Sequence, residues 1–169
     1  RALVGGLYCG AARLMHPRAL ELITALQLQA HPEGGYYRRL YESSAQLDGG
    51  RLCGTAIIFL LPAGAVSRWH RVDADELWHF YEGAPLELLL AEQPDAVRCA
   101  RLGPVAIGQL PQRLVPAHAW QAARSSGAFT LVGCTVTPGF DFAGFQLLSE
   151  DSQAQRDWPM LAQLHPELV

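Results

Sequence analysis

The chain has 169 residues, 50% apolar and 17% charged, with a formal net charge of −3. That balance belongs to a globular chain rather than a disordered one, and the length suits one domain. Basic residues are scattered with no basic run among aromatics, which argues against nucleic acid or an anionic membrane as partner, and no apolar stretch nears the roughly 20 residues of a membrane span.

Residues 1–15 read as an N-terminal extension, with Met15 a candidate start. The Arg1–Leu14 stretch is apolar but short and broken by Arg13, a poor signal peptide. A single domain is then expected over 16–169. Pro17 to Gln29 carries Leu20, Ile23, Leu26 and Gln27 at helical spacing, with proline suited to a first turn. His31-Pro32-Glu33-Gly34-Gly35 is expected to stop this helix.

Strand texture follows. Tyr36–Ser43 is aromatic-rich, Asp48-Gly49-Gly50 is a turn, and Thr55–Leu61 is a β-branched and apolar run closed by Pro62. Glu76–Glu82 alternates, with Glu76, Trp78 and Phe80 on one face and Leu77, His79 and Tyr81 on the other. Further strands are predicted over Leu86–Glu92, Arg98–Leu102, Arg113–Val115, Trp120–Arg124 and Phe129–Thr137, with a short closing helix over Met160–Leu164. Strands every 8–15 residues with turns between them point to an antiparallel sandwich or barrel, not to βαβ units. Cys9, Cys53, Cys99 and Cys134 are far apart and form no C-x-x-C pair. Buried free thiols in a reducing, cytoplasmic setting are expected.

The chemistry-bearing stretch runs from Gly64 through Arg68-Trp69-His70-Arg71-Val72-Asp73-Ala74-Asp75-Glu76 to Gly83. It reads strand, polar turn, strand, and brings an imidazole and a carboxylate to adjacent strand ends. That pairing suits a metal or an acid–base pair.

The spacing of Gly64, His70, Glu76 and Gly83 resembles the first cupin motif, G-x5-H-x-H-x3-E-x6-G, with Val72 at the second histidine place. Pro116-Ala117-His118-Ala119-Trp120-Gln121 weakly matches the second, G-x5-P-x-G-x2-H-x3-N. There His118 stands at the glycine place and Gln121 at the last metal histidine. With His31-Pro32-Glu33-Gly34-Gly35-Tyr36 and Pro138-Gly139-Phe140-Asp141-Phe142, residues 19 to 148 resemble the fifth numbered cupin family, a domain of unknown function. The resemblance implies an all-β fold, an antiparallel jelly-roll with a short N-terminal helix, a homodimer, and a loose kinship with deoxysugar epimerases whose cupin pocket works without metal. Those enzymes use a histidine base.

On that basis the expected ligand is a small polar molecule, sugar-like or nucleotide-sugar-like. If the protein is catalytic, His70 is the base for an epimerisation or isomerisation, Glu76 orients it, and Gln121 with an arginine holds the substrate. Glu33, Tyr37, Arg38 and Arg39 flank the entry, where an inward arginine would select a carboxylate or phosphate. Trp78 and Phe80 serve either as core or as pocket walls that stack a ring. His79 is expected to face away from the pocket, in a structural or dimer-interface role. His118 is expected in an exposed turn. No cofactor is expected. A divalent metal would have only His70, Glu76 and Gln121, too few strong ligands for a typical catalytic zinc or iron site. The alternatives are a non-catalytic ligand sensor and a metal-dependent cupin with a degenerate site.

Overall fold

The computed structural model describes residues 15–169, so all of the predicted extension but Met15 lies outside it. Helix α1 (Pro17–Ala25) leads into strands β1 (Gln29–Ala30), β2 (Tyr36–Glu42), β3 (Thr55–Pro62), β4 (Val66–Val72), β5 (Asp75–Gly83) and β6 (Leu86–Gln93). Strands β7 (Ala96–Leu102), β8 (Gln109–Leu110), β9 (Gln112–Val115), β10 (Trp120–Ser125), β11 (Phe129–Thr137) and β12 (Phe145–Leu147) follow, then helices α2 (Ser152–Asp157) and α3 (Pro159–Leu164). The strands form two six-stranded sheets, β1-β2-β3-β11-β5-β9 and β12-β4-β10-β6-β7-β8. Every pairing is antiparallel except the short β7–β8 contact. This is the expected jelly-roll.

The long strands are apolar on both faces because both faces are covered. In β3, Phe59 and Leu61 enter the core between the sheets, while Ile58 and Leu60 pack outward beneath α1. In β6, Leu86, Leu88 and Leu90 face that same core, whereas Leu89 and Ala91 lie with Trp69, Trp120, Leu148, Leu161 and Leu168 on the outer side.

The helix ends four residues earlier than its periodicity predicts. Gln27 is left-handed (φ 54°), its N–H reaches Thr24 O at 3.2 Å, and the Leu28 N–H reaches Ile23 O at 2.9 Å. This is a Schellman stop, in which Leu28 folds back onto the same cluster as Ile23. The terminator is therefore this turn, not the His31–Gly35 segment. The buried face is Ala19 and Leu22, and Leu20 is exposed. Strand β12 and helix α2 lack a periodic signal of their own in the sequence. The α2 helix is set by its Asp151 cap, which accepts from the Gln153 and Ala154 N–H groups.

Cys53, Cys99 and Cys134 are free, but only Cys134 is buried, which corrects the expectation for the other two. Among the described residues no helix is long and apolar enough to cross a membrane.

Candidate functional site

The His31–Gly35 segment is part of the site, because it lies strapped along β4. The Arg68 N–H donates to Glu33 O at 2.9 Å, and Arg68 Nη2 donates to Pro32 O at 2.5 Å. The approach is so close that only glycine fits: Gly34 has φ +113°, and an added Cβ would sit 2.1 Å from Val66 O. This packing turns the Glu33 side chain inward, where it is 6% exposed.

Strand β4 contributes two inward groups that simple alternation would separate. The β4–β10 ladder slips between Ser67↔Ala123 and His70↔Gln121. The extra residue is a bulge, and it brings Ser67 and His70, three apart, to the same face while Trp69 packs outward. Ser67 Oγ donates to Glu33 Oε1 at 2.8 Å, and His70 Nε2 lies 3.2 Å from Glu33 Oε2.

Donor rules fix where the protons lie. A carbonyl only accepts, so His70 Nδ1, 2.7 Å from Arg68 O, carries a hydrogen, and Nε2 of the neutral ring is a lone pair. His31 Nδ1 accepts from the Glu33 N–H at 3.3 Å, so it too is a lone pair, 3.6 Å from Glu33 Oε2. Glu33 Oε2 thus faces the His70 lone pair and is matched to it when protonated, while the His31 lone pair is taken by the Glu33 N–H. Burial works in the same direction. It pushes the Glu33 carboxyl up to about 8 against the Ser67 hydrogen bond, and it pushes His31 down to about 4, with His70 adding to that fall. The His70 ring is also lowered by burial, opposed by Glu76 and by the Arg68 carbonyl.

Glu76 stands in the opposite chemical setting. The Trp78 indole can only donate, and it does so to Gln121 Oε1 at 3.0 Å. This forces the Gln121 amide nitrogen toward Glu76 Oε2, at 2.5 Å. Glu76 is therefore built to accept. Burial raises its pKa and the neighbouring Glu33 adds to the rise, while His70 and Gln121 pull it down.

These groups line a cleft with about 500 Å³ of atom-free space, mouth included. Tyr37, Arg39, Ile57, Phe59, Phe140, Phe142 and Phe145 form the wall around His31, Glu33, His70 and Glu76.

Of the predicted site residues, His70, Glu76, Glu33, Tyr37 and Arg39 come together here. Four others lie elsewhere. Trp78 and Phe80 pack in the core between the sheets, because the inner face of β5 meets Leu86, Leu88 and Val132 rather than free space. Arg38 points to the outer face and donates to Leu26 O at 3.2 Å. Gln121 lies behind Glu76, with both ends of its amide engaged. The expected orientation of His70 by Glu76 is also corrected: both His70 nitrogens face other partners, Arg68 O and Glu33. His79 faces away, as its strand parity requires, and contacts Thr135 Oγ1 and Gln112. His118 is exposed and left-handed (φ 67°), with its N–H on Val72 O at 2.7 Å, which accounts for glycine at this place in the motif. His31 was the unrecognised member. A His-x-Glu-Gly-Gly run of loop residues, too rich in chemistry for a simple helix stop, was the available signal.

Two sheets enclosing a lumen, with reactive groups on their inner faces, define a cupin. The chain belongs to the Cupin superfamily family DUF985, whose model matches residues 20–148. It is similar to the crystal structure of protein SO0799 from Shewanella oneidensis, with a TM-score of 0.80 and 36% identity over 88% of this chain and 94% of that one. It is similar also to a hypothetical protein from Leishmania major, with a TM-score of 0.72 and 32% identity over 88% of this chain and 93% of that one. An oxalate decarboxylase from Bacillus subtilis shares the fold alone, with a TM-score of 0.55 and 12% identity over 71% of this chain and 30% of that one. No curated protein matches the chain.

The cupin metal set does not fit the residues present. Val72 offers no donor atom, and the Gln121 carbonyl, the one ligand atom that amide has, is taken by Trp78. Among the described residues no group of three His, Cys, Asp or Glu side chains is arranged to hold a metal ion.

Proposed function

We propose that this cleft binds a small carbonyl compound and moves a proton on the carbon next to the carbonyl, without a metal, as an isomerase or epimerase. The observation that carries the reading is the difference in hydrogen-bond partners of two buried carboxyls: Glu33 Oε2 faces the His70 lone pair, and Glu76 Oε2 accepts from the Gln121 amide. Burial raises both carboxyls, so the assignment rests on these partners, which mark Glu33 as the proton carrier and Glu76 as the acceptor. Glu76 takes the proton from carbon, and the C–H electron pair becomes the enol C=C bond. The Glu33–His70 pair gives its proton to the carbonyl oxygen. Return of both protons, to the other face or to the neighbouring carbon, regenerates the groups. This reverses the roles expected from the sequence, where His70 was the base.

The test is deuterium exchange. Carbonyl metabolites incubated with the protein in D₂O are followed by NMR for label at carbon. Exchange is expected, with loss in Glu76→Gln and a large slowing in Glu33→Gln and His70→Ala. If no member of a broad panel exchanges, or Glu76→Gln exchanges at the wild-type rate, the reaction is wrong. Saturable binding without exchange would mark a ligand sensor. A homodimer is carried from the family resemblance and a cytoplasmic location from the cysteine pattern, and light scattering checks the first.

A further inference from the structure

The outer half of the cleft has a recognition element that the proton-transfer groups do not use. In β2, Tyr37 and Arg39 alternate onto the cleft face, opposite Phe59 and Ile57 of β3. The ladder then slips between Arg39 and Tyr41, so a bulge follows Arg39 directly. Bulges of this kind re-aim a side chain beside a site. Exposure rises along the cleft: the side chains of His70 and Glu33 are 3% and 8% exposed, and that of Arg39 is 32% exposed. A line of rings joins the two ends. The Arg39 guanidinium lies 5.7 Å from the Phe140 ring centre, Phe140 is 5.9 Å from Phe145, and Phe145 is 5.5 Å from the His70 ring.

We infer that the ligand of this cleft is a compact keto acid with its carboxylate on Arg39, its flat or apolar middle along Phe140 and Phe145, and its carbonyl at the Glu33–His70 end. The inference rests on the proposed proton-transfer reading for that last placement. Among the described residues the one carboxylate on Arg39 is Glu42, at 2.7 Å on one nitrogen, an exposed i,i+3 pair. Such a pair holds weakly, and a guanidinium has five N–H donors in a fork that matches a carboxylate. A single fork beside a competing glutamate favours a monoanion over a phosphate dianion. The interior is lined by four titratable groups that burial drives toward their neutral forms, so the anionic end belongs at the mouth, where water still reaches it.

The experiment measures dissociation constants for levulinate, 4-acetylbenzoate, their primary amides and 4-acetylphenyl phosphate, by NMR titration. Each acid is expected to bind about tenfold tighter than its amide, and 4-acetylbenzoate tighter than 4-acetylphenyl phosphate. Arg39→Gln is expected to bring each acid-to-amide ratio to within about twofold, with Arg39→Lys intermediate. Glu42→Gln, which frees the guanidinium, should tighten the acids alone. Equal binding of acids and amides, a phosphate preference, an unchanged ratio in Arg39→Gln, or no binding by any of the five probes would overturn the assignment. The ratio is read without turnover. If it stands while deuterium exchange is absent, only the proton-transfer reading falls. If exchange occurs on amides and acids alike with equal affinity, only the carboxylate assignment falls.

Discussion

His70 Nε2 lies 3.2 Å from Glu33 Oε2, while the other ring nitrogen is held by the Arg68 carbonyl. This spacing and the burial of both groups favour the form in which Glu33 carries a proton and His70 is neutral. Pocket chemistry and folding stability are linked through that proton.

The first prediction is a pH dependence of stability. Glu33 titrates near 8 in the folded protein against an ordinary 4.5, so between these values the folded state holds a proton that the unfolded chain has lost. Stability from this group is complete below 4.5 and drains away as pH rises through 8. His31, depressed from 6.5 to about 4, acts in the opposite sense between those two values, so it offsets Glu33 there and leaves pH 6.5 to 8 to the buried carboxyls. The His70 shift is downward from 6.5 and also lies outside that window, whereas Glu76, raised by burial, has the same sign as Glu33 and adds to it. Wild-type stability, measured by urea unfolding, is expected to drop by about 1.4 kcal/mol per pH unit or more across the window, one proton's worth from Glu33 with the share of Glu76 added. Glu33→Gln should lower that slope by about one proton's worth. A flat wild-type profile, or an equal slope in the variant, would show that Glu33 is already ionised.

A second prediction concerns the strap that delivers Glu33. Gly34→Ala places a methyl against Val66 O, at a backbone conformation that L side chains rarely adopt, and the contact is with main chain that cannot rotate away. A loss of about 3 kcal/mol or more is expected. Gly49 is equally left-handed (φ +93°) but an added Cβ there meets open space. Gly49→Ala should therefore cost only about 1 kcal/mol. Equal costs would mean that strain alone, not the close approach to β4, makes glycine necessary at 34.

Most of the fold was legible because its signals are local. The eight strands whose bounds were predicted from apolar runs and turns lie within two residues of their observed ends, and proline set the start of α1 correctly. Glu33 was named from the entry segment, and within the strands the site was legible only where parity holds. Glu76 and His79 were assigned to the right faces of β5 by counting alternate residues. Ser67 was missed because the bulge in β4 breaks the count. Trp78 and Phe80 shared the parity of Glu76, yet parity gives only the face, not how far free space extends along it. Glu33 and His31 depend on a loop strapped to a strand over thirty residues later, a long-range contact that no periodicity encodes.

The third prediction isolates the Ser67 hydroxyl. It donates to Glu33 Oε1 at 2.8 Å in a fully buried position, and this bond favours the ionised carboxylate. Ser67→Ala should push Glu33 further above 8, extending the stability slope to higher pH. Glu33 Oε1 loses a buried partner, at a cost of about 1–2 kcal/mol. Cysteine at this position keeps a weak donor and should fall between the two. If Ser67→Ala moves the Glu33 titration downward, the hydroxyl is accepting from a protonated Oε1, and the proton sits on the other oxygen from the one assigned here.

The fourth prediction tests why the cupin metal set fails in this chain. Two changes separate it from the cupin metal-ligand set, valine at 72 and glutamine at 121, and the second is locked by Trp78. Val72 lines the cleft beside His70, and Gln121 is the cross-strand partner of His70, so histidines at both places would surround one point with imidazoles. The double variant Val72→His/Gln121→His should bind Co²⁺ at one equivalent with visible d–d absorption, at least about a hundredfold tighter than wild type. Loss of the Gln121 carbonyl strands the Trp78 indole N–H, at about 1–3 kcal/mol, so adding Trp78→Phe should recover stability without weakening the metal. Gln121→His alone should gain little, since Val72 still supplies no donor. If wild-type protein takes up Co²⁺ as tightly as the double variant, then Glu33, His70 and Glu76 already make a metal site, and the two carboxyls are ligands rather than an acid and a base.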